Sequence, residues 1–327
     1  MRAAVFEDVR KISYEEDYPK PEITPDQVLV KVAYCAICGT DVTNYKKKLY
    51  QTPVVMGHEF SGTIDKIGKN VQGFQVGDKV VGINVLLEIG RSDSGGMGIF
   101  KDGGFAEYVA VHKNDLFHVP SPNSLKECSM IESFAVSVRA FKRCNMSKHQ
   151  KIVIIGGGNI GLGALNILKN QYDPEYAVVV EIYEPLRKKA KELGADDTLP
   201  PSKAKLRRYF RKNGEPDYIL DCAGNDKTFD LAINTIKRGG TIVLEGIYKG
   251  NVEFPLFLMN NKEITLIGTL SHDREDVQDT IDLFTSGNVQ PAKLISDVIP
   301  LSEIQEEGFE RYMTDQERDF IKILVEI

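Results

Sequence analysis

The 327-residue chain has no tryptophan and only five cysteines and five histidines. The cysteines, at positions 35, 38, 128, 144 and 222, lack the spacing of a disulfide framework, so we expect reduced thiols and a cytoplasmic protein. No apolar run approaches the ~18 residues of a membrane span. Glu7 and Asp8 come too early for the apolar part of a secretory signal. The sequence therefore predicts neither a membrane partner nor export.

The chain also has no excess of positive charge. The formal net charge is −6, which argues against a nucleic-acid partner. The composition, 42% hydrophobic and 27% charged, is that of an ordinary soluble globular protein. A chain of this length favours two domains. A small molecule is therefore the expected partner.

Short β-branched runs bounded by glycine or proline fill residues 1 to about 143. Residues 28–32, 62–67 and 105–111 are runs of this kind. They predict strands joined by tight turns, hence an all-β or barrel-like first domain. A short helix is expected from Cys38 to Tyr45. Residues 84–104 contain no cysteine or histidine and are expected to form a surface lobe.

The pattern changes at an apolar run over Lys151–Ile155, which predicts a buried strand. Gly156, Gly158 and Gly161 follow at once in the spacing G-x-G-x-x-G, then a helical pattern and a second apolar run that ends in Glu181. Strand, glycine-rich turn, helix, strand and acid, in this order, are the dinucleotide-binding fingerprint. The Glu181 carboxylate can accept both ribose hydroxyls and would repel a 2′-phosphate, which favours NAD over NADP.

Strands and helices continue to alternate to about residue 291, which predicts a doubly wound parallel sheet. Ligands of such sheets bind beyond the carboxyl ends of the strands. The expected cofactor contacts are Gly156, Gly158, Asn159, Ile160, Gly161, Glu181, Ala223, Gly246 and Thr269. In the tail, a helix over 302–312 and a strand over 321–325 are expected, and the strand could return to the first domain.

Cys38 and His58, twenty residues apart, are candidates for a metal site. A thiolate and an imidazole are ligands that zinc prefers, and Glu59 adds a carboxylate beside them. Glu132 is a third candidate, near the start of a helix predicted over 125–144, although a single glutamate on a helix is usually solvated. By itself such a pair is more often a buried cysteine and a hydrogen-bonded histidine.

Taken together, the motifs resemble the zinc-dependent medium-chain dehydrogenase/reductase family, in its alcohol and sorbitol dehydrogenase-like branch. The resemblance covers essentially the whole chain. It rests on residues 38–41, 57–62, 76–80, 103–108, 132, 156–161 and 190–196. It implies a GroES-like β-barrel catalytic domain, residues 1–143 with 292–327, and a Rossmann NAD-binding domain, residues 144–291. A catalytic zinc would lie in the cleft between them.

The resemblance also implies a role for each residue of the candidate site. Cys38 and His58 match zinc ligands, and Glu132 matches the third ligand. Glu59 matches a carboxylate that either joins the zinc or stands behind it, and these alternatives stay open. Asp41 matches the carboxylate that orients the zinc-bound histidine, a role expected on physical grounds too.

Thr40 matches the hydroxyl that takes the substrate proton, but other positions depart from the family pattern. Thr43 replaces a frequent relay histidine, which leaves Thr43, water or a cofactor hydroxyl as the onward route. Arg139 also replaces a histidine and is expected at the surface, with a ligand contact as the alternative. The 84–104 lobe lacks the four cysteines of a structural zinc, so one zinc per subunit is expected. Lys46–Lys48 is expected to be a solvated face rather than an attractor of phosphorylated substrates.

The implied activity is hydride transfer between a secondary alcohol, polyol or sugar and NAD, because Glu132 stands where primary-alcohol enzymes usually carry cysteine. Threonine 3-dehydrogenase and glucose dehydrogenase activities stay open. The ligand trio disfavours a zinc-free quinone or enoyl reductase. Thr40 and the intact ligands disfavour a non-enzymatic nucleotide or metal sensor. A homo-oligomer, dimer or tetramer, is expected.

Overall fold

The computed structural model describes residues 1–50, 52–84, 96–119, 122–314 and 317–327. Its strands form a mixed sheet, a small antiparallel sheet and a parallel sheet. None of the helices in these ranges is both long and apolar enough to cross a membrane. The predicted mixed α/β class is confirmed.

The first part of the chain is mainly strands. These elements are β1 (Ala3–Asp8), β2 (Lys11–Glu15), β3 (Gln27–Ala36), α1 (Gly39–Lys47), β4 (Val54–Val55), β5 (Glu59–Ile67), β6 (Lys79–Ile83), β7 (Tyr108–His112), β8 (Leu116–His118), α2 (Leu125–Cys128) and α3 (Ile131–Arg143). Strand β3 is central, because it pairs antiparallel with both β5 and β7. Phe6, Phe60 and Phe105 are fully buried in the core of this part.

The second part alternates strands and helices. These elements are β9 (Lys151–Ile155), α4 (Asn159–Ile167), β10 (Tyr176–Val180), α5 (Glu184–Glu192), β11 (Asp197–Leu199), α6 (Lys203–Asn213), β12 (Tyr218–Asp221), α7 (Asp226–Thr235), β13 (Thr241–Leu244), α8 (Leu256–Lys262), β14 (Thr265–Gly268) and α9 (Arg274–Thr285). The strands are parallel, in the order β11-β10-β9-β12-β13-β14. This is the order of a doubly wound dinucleotide-binding sheet.

The C-terminal segment returns to the first part of the chain. Its strands are β15 (Ile295–Pro300) and β16 (Lys322–Glu326), and β16 pairs antiparallel with β3. The helix predicted over 302–312 is instead a succession of short 3₁₀ and π turns from Leu301 to Tyr312. Buried Leu301, Ile304 and Phe309 hold these turns on the core of the first part.

The helix predicted over 125–144 is two helices, α2 and α3, separated by Ser129 and Met130. Helix α3 lies between the two large sheets, because the core around Phe134 and Phe141 includes Ile83 of β6 as well as Ile154 of β9. One continuous core therefore fixes the first turn of α3, which carries Glu132, relative to both parts.

Candidate metal and cofactor site

Cys38 is the residue immediately before α1, and its backbone N–H donates to Asp41 Oδ2 at 3.0 Å. His58 immediately precedes β5 and follows Gly57, whose φ is +93°. A Cβ on Gly57 would lie 2.7 Å from Cys35 Sγ, so a side chain would be both strained and overcrowded there. The start of α1 therefore positions Cys38, and the turn at Gly57 positions His58.

Half-buried Cys38 and buried His58 and Glu59 form a cluster that could hold a metal ion, called the metal-binding cluster below. One ligand atom from each residue, a sulfur, a ring nitrogen and a carboxylate oxygen, lies within 4.8 Å of the other two. His58 is 5% exposed and Glu59 is 1% exposed. Zinc prefers these donor types, and a catalytic site with three protein ligands keeps a fourth position open. The donors therefore fit a catalytic zinc ion.

Asp41 positions both Cys38 and His58. Its Oδ1 lies 3.4 Å from His58 Nδ1, and the residue is 1% exposed. Burial lowers the pKa of His58, but the charges of Asp41 and Cys38 outweigh burial and raise that pKa well above its ordinary value. A carboxylate behind a metal-binding imidazole fixes the orientation of the ring. Asp41 therefore lies where the resemblance implies an orienting residue.

A buried lysine that sequence reasoning missed stands behind Glu59. Lys322 Nζ lies 2.5 Å from Glu59 Oε2, and the two side chains are 2% and 1% exposed. Burial still raises the pKa of Glu59, although Lys322 opposes the shift. The signal in the sequence was a lone lysine inside the apolar run of the last strand, because a charge there needs a buried partner.

Glu132 contacts a histidine instead of water. Its Oε1 lies 3.1 Å from His272 Nε2, with the side chains 11% and 0% exposed, so the solvated interpretation of Glu132 is wrong. Burial raises the pKa of Glu132, but the hydrogen bond and charge of His272 outweigh burial and lower it. Glu132 is near enough to affect the pKa of Glu59, yet it is not part of the Cys38–His58–Glu59 trio within 4.8 Å among the described residues.

His272 is the second functional candidate that the sequence did not reveal. It follows β14 by four residues, at the edge of the parallel sheet where the strands end. Ligands of such sheets bind at this edge, which is the signal that could have pointed to it. Through Glu132, His272 connects the metal-binding cluster to the cofactor side of the molecule.

The electrostatics of the cluster also favour a cation. Burial and the Glu59 carboxylate raise the pKa of the Cys38 thiol, while His58 and Lys322 oppose this shift. Burial is the largest of these causes, and together they disfavour the charged thiolate form. A divalent ion would offset this charge and stabilise the thiolate form.

A cavity of about 870 Å³ opens at the glycine-rich turn. Gly156 has a φ of +105°, and a Cβ on Gly161 would lie 2.0 Å from the Gly156 oxygen. Nothing lies within 4 Å of a Cβ built on Gly158, which precedes α4, and no side chain caps that helix. The first N–H groups of α4 are thus left for an anion such as a diphosphate.

Glu181 lies at the end of β10, as predicted, and is 8% exposed. Its Oε2 accepts from the Gly157 N–H at 2.6 Å and its Oε1 from the Tyr183 N–H at 2.9 Å. Four of the predicted cofactor residues line the cavity: Gly156, Gly158, Glu181 and Ala223. The others lie at the start of α4 (Asn159, Ile160, Gly161) and after β13 and β14 (Gly246, Thr269). The sheet topology thus brings them to one edge.

Residues 24–121 match the family model of the alcohol dehydrogenase GroES-like domain. Residues 159–286 match the model of the zinc-binding dehydrogenases. The chain belongs to the zinc-dependent medium-chain dehydrogenase/reductase family. A zinc ion and a nicotinamide cofactor are therefore the groups that the cluster and the cavity of this dehydrogenase accommodate.

The dehydrogenase is similar over nearly its whole length to characterised relatives. It is 29% identical to D-arabitol-phosphate dehydrogenase of Enterococcus avium over 95% of this chain and 92% of that protein. It is 27% identical to sorbitol dehydrogenase of Halalkalibacterium halodurans, over 87% and 88%. The crystal structure of 2R,3R-butanediol dehydrogenase from Bacillus subtilis superposes with a TM-score of 0.89 at 27% identity, covering 100% of this chain and 99% of that one.

Two positions where the dehydrogenase departs from its family make defined contacts. Arg139, with 18% of its side chain exposed, pairs with Asp273 at 2.9 Å and Asp276 at 2.8 Å, so it joins α3 to the start of α9. Thr43 Oγ1 donates to the Gly39 oxygen at 2.8 Å and accepts from Lys249 Nζ at 3.2 Å. Of the lobe predicted over 84–104, residues 85–95 lie outside the described residues.

Proposed function

We propose that this dehydrogenase oxidises a secondary hydroxyl of a polyol or sugar alcohol, with NAD as the hydride acceptor. The observation that carries the proposal is the convergence of Cys38, His58 and Glu59, whose ligand atoms lie within 4.8 Å of one another. Relatives named for sorbitol, D-arabitol phosphate and butanediol support a polyol substrate. Glu181, at the position of the ribose-binding acid, supports NAD rather than NADP.

The protein's own part in this chemistry is orientation and proton handling. When bound, zinc would polarise the substrate oxygen and lower the pKa of its hydroxyl, and the nicotinamide would provide the hydride acceptor. Thr40, half-buried on the first turn of α1, provides the hydroxyl that takes the substrate proton. Thr43 Oγ1 already donates to the Gly39 oxygen, so it can pass that proton onward only if this bond breaks.

A panel assay tests the proposal. The zinc-loaded protein is incubated with NAD and sorbitol, xylitol, 2,3-butanediol, threonine or glucose, and NADH formation is followed by absorbance. We expect the largest kcat/KM with a polyol. A larger kcat/KM with threonine or glucose would move the assignment to those alternatives. If neither these compounds nor their phosphorylated forms gave NADH, the dehydrogenase function would be refuted.

Replacing Glu181 with glutamine is expected to lower the preference for NAD over NADP about tenfold or more. Glutamine keeps the size of the side chain but removes its negative charge. That charge repels a 2′-phosphate and strengthens the hydrogen bonds to the ribose. The measurement is the ratio of kcat/KM for the two cofactors. Asp226→Asn is the matched control, because Asp226 lines the same cavity away from the end of β10. An unchanged ratio in Glu181→Gln would exclude the ribose assignment.

We also propose that the protein is a homo-oligomer. Strand β14 is at the edge of the described parallel sheet. Helix α8, next to it in the chain, exposes 64% of Leu256 and 83% of Phe257. An unpaired sheet edge beside exposed large apolar side chains is typical of a surface that another chain covers.

A further inference from the structure

Three lysines from two parts of the chain lie near enough for their charges to act on one another. Lys46 and Lys47 lie in the last turn of α1, and Lys249 lies five residues beyond the end of β13. Lys249 Nζ donates to Thr43 Oγ1 at 3.2 Å, across 206 residues of sequence. A segment of the parallel-sheet part therefore places its ammonium group against the helix that begins at Cys38.

The positive charges of this lysine cluster lack carboxylate partners. Among the described residues, none of Lys46, Lys47 and Lys249 takes part in an ion pair, whereas neighbouring Lys48 pairs with Asp8 at 3.0 Å. Partial burial lowers the pKa of Lys249, and the charges of Lys47 and Lys46 lower it further. In a protein of net charge −6, three close cations without an acid are a site prepared for an anion.

The position of the cluster assigns that anion to the substrate. Thr43 is five residues from Cys38, which is about 7.5 Å along a helix at 1.5 Å per residue. Lys249 therefore contacts α1 about one and a half turns from Cys38, which is within reach of the far end of a polyol bound at the metal-binding cluster. The cavity at Gly156 and Gly158, where the glycine-rich turn can hold the cofactor diphosphate, is not lined by any of the three lysines.

We propose that Lys46, Lys47 and Lys249 form a phosphate-binding subsite, and that the substrate is a polyol phosphate. The inference rests on the proposed function and specifies its substrate class. The three ammonium groups bind the phosphate dianion as point charges. The hydrogen bond from Lys249 Nζ to Thr43 Oγ1 orients the lysine. The phosphate takes no part in the redox step and serves to bind and orient the chain of hydroxyl carbons.

The test compares a pentitol phosphate with the same unphosphorylated pentitol. We expect the zinc-loaded wild type to prefer the phosphorylated compound by about tenfold to a hundredfold in kcat/KM, the range for hydrogen bonds to a charged group. Lys249→Met is expected to remove about tenfold of this preference, mainly through KM. Lys48→Met is the matched control, since it removes a charge of the same run that is paired with Asp8, and it should keep the preference.

Inorganic phosphate serves as a second probe, independent of turnover of the phosphorylated compound. It is expected to inhibit pentitol oxidation competitively in the wild type and in Lys48→Met, and at least about tenfold more weakly in Lys249→Met. NADH affinity, measured by fluorescence, should be the same in all three proteins. A lower NADH affinity in Lys249→Met would assign the cluster to the cofactor instead. Equal activity on both pentitols in the wild type would overturn the subsite while leaving the dehydrogenase function intact.

Discussion

Replacing Cys38 with serine, or His58 with alanine, is expected to lower kcat/KM by at least about a thousandfold. A bound metal contributes several kcal/mol of transition-state stabilisation, and each 1.36 kcal/mol is a factor of about ten in rate. Both residues belong to the metal-binding cluster, whose ligand atoms lie within 4.8 Å of one another. NADH affinity should change little, because the cavity at the glycine-rich turn is lined by other residues. Initial rates with a polyol and NADH fluorescence titrations measure the two effects.

Cys144→Ser is the matched control for the thiol. Cys144 is buried like the metal-binding residues, and its Sγ lies 3.4 Å from the Phe141 oxygen, an acceptor that serine can also reach. It lies outside the cluster, so its activity should stay close to that of the wild type. Full activity in Cys38→Ser would exclude Cys38 as a ligand, and equal losses in the two cysteine variants would show only that the fold is fragile.

Replacing Lys322 with methionine is expected to lower the free energy of unfolding by about 3–5 kcal/mol. Removing one partner of a buried ion pair leaves the other charge without compensation, at this cost. Lys322 and Glu59 are 2% and 1% exposed, so water cannot replace the lost ammonium group. The measurement is urea unfolding of metal-free protein, because a bound cation would itself offset Glu59.

Two further variants show whether the loss comes from the charge. Lys322→Arg keeps a cation and should recover much of the stability. Lys203→Met breaks the ion pair between Lys203 and Asp230, whose side chains are 40% and 57% exposed. Such surface pairs contribute about 1 kcal/mol or less to stability. A loss in Lys322→Met no larger than that in Lys203→Met would show that Glu59 does not depend on the lysine.

The sequence predicted the elements whose pattern is local. Strand β9 was predicted with its observed bounds, because a parallel strand covered on both faces is a continuous apolar run. The glycine-rich turn and Glu181 were placed by their spacing in the chain. Helix α6 was missed, since only Leu206 and Phe210 of its residues are buried and its apolar stripe is weak.

The contacts within the site depend on residues far apart in the chain, and the sequence did not reveal them. The resemblance gave Glu132 as a zinc ligand, but its contact with His272, 140 residues away, could not be read from the sequence. Lys46–Lys48 are exposed, as predicted for a solvated face, but the approach of Lys249 to this part of α1 arises only through the fold. Resemblance to a family gave the cluster its members, whereas the charges around them come from this chain's own tertiary contacts.

Zinc X-ray absorption combined with metal analysis tests the metal site most directly. We expect one zinc per subunit, with a single sulfur neighbour at about 2.3 Å and nitrogen or oxygen neighbours at about 2.0–2.2 Å. In Cys38→Ser the sulfur neighbour should disappear and zinc should be lost or bound more weakly. Two tightly bound zinc ions per subunit would contradict the single site, and an absorption spectrum unchanged by Cys38→Ser would contradict a catalytic zinc held by Cys38, His58 and Glu59.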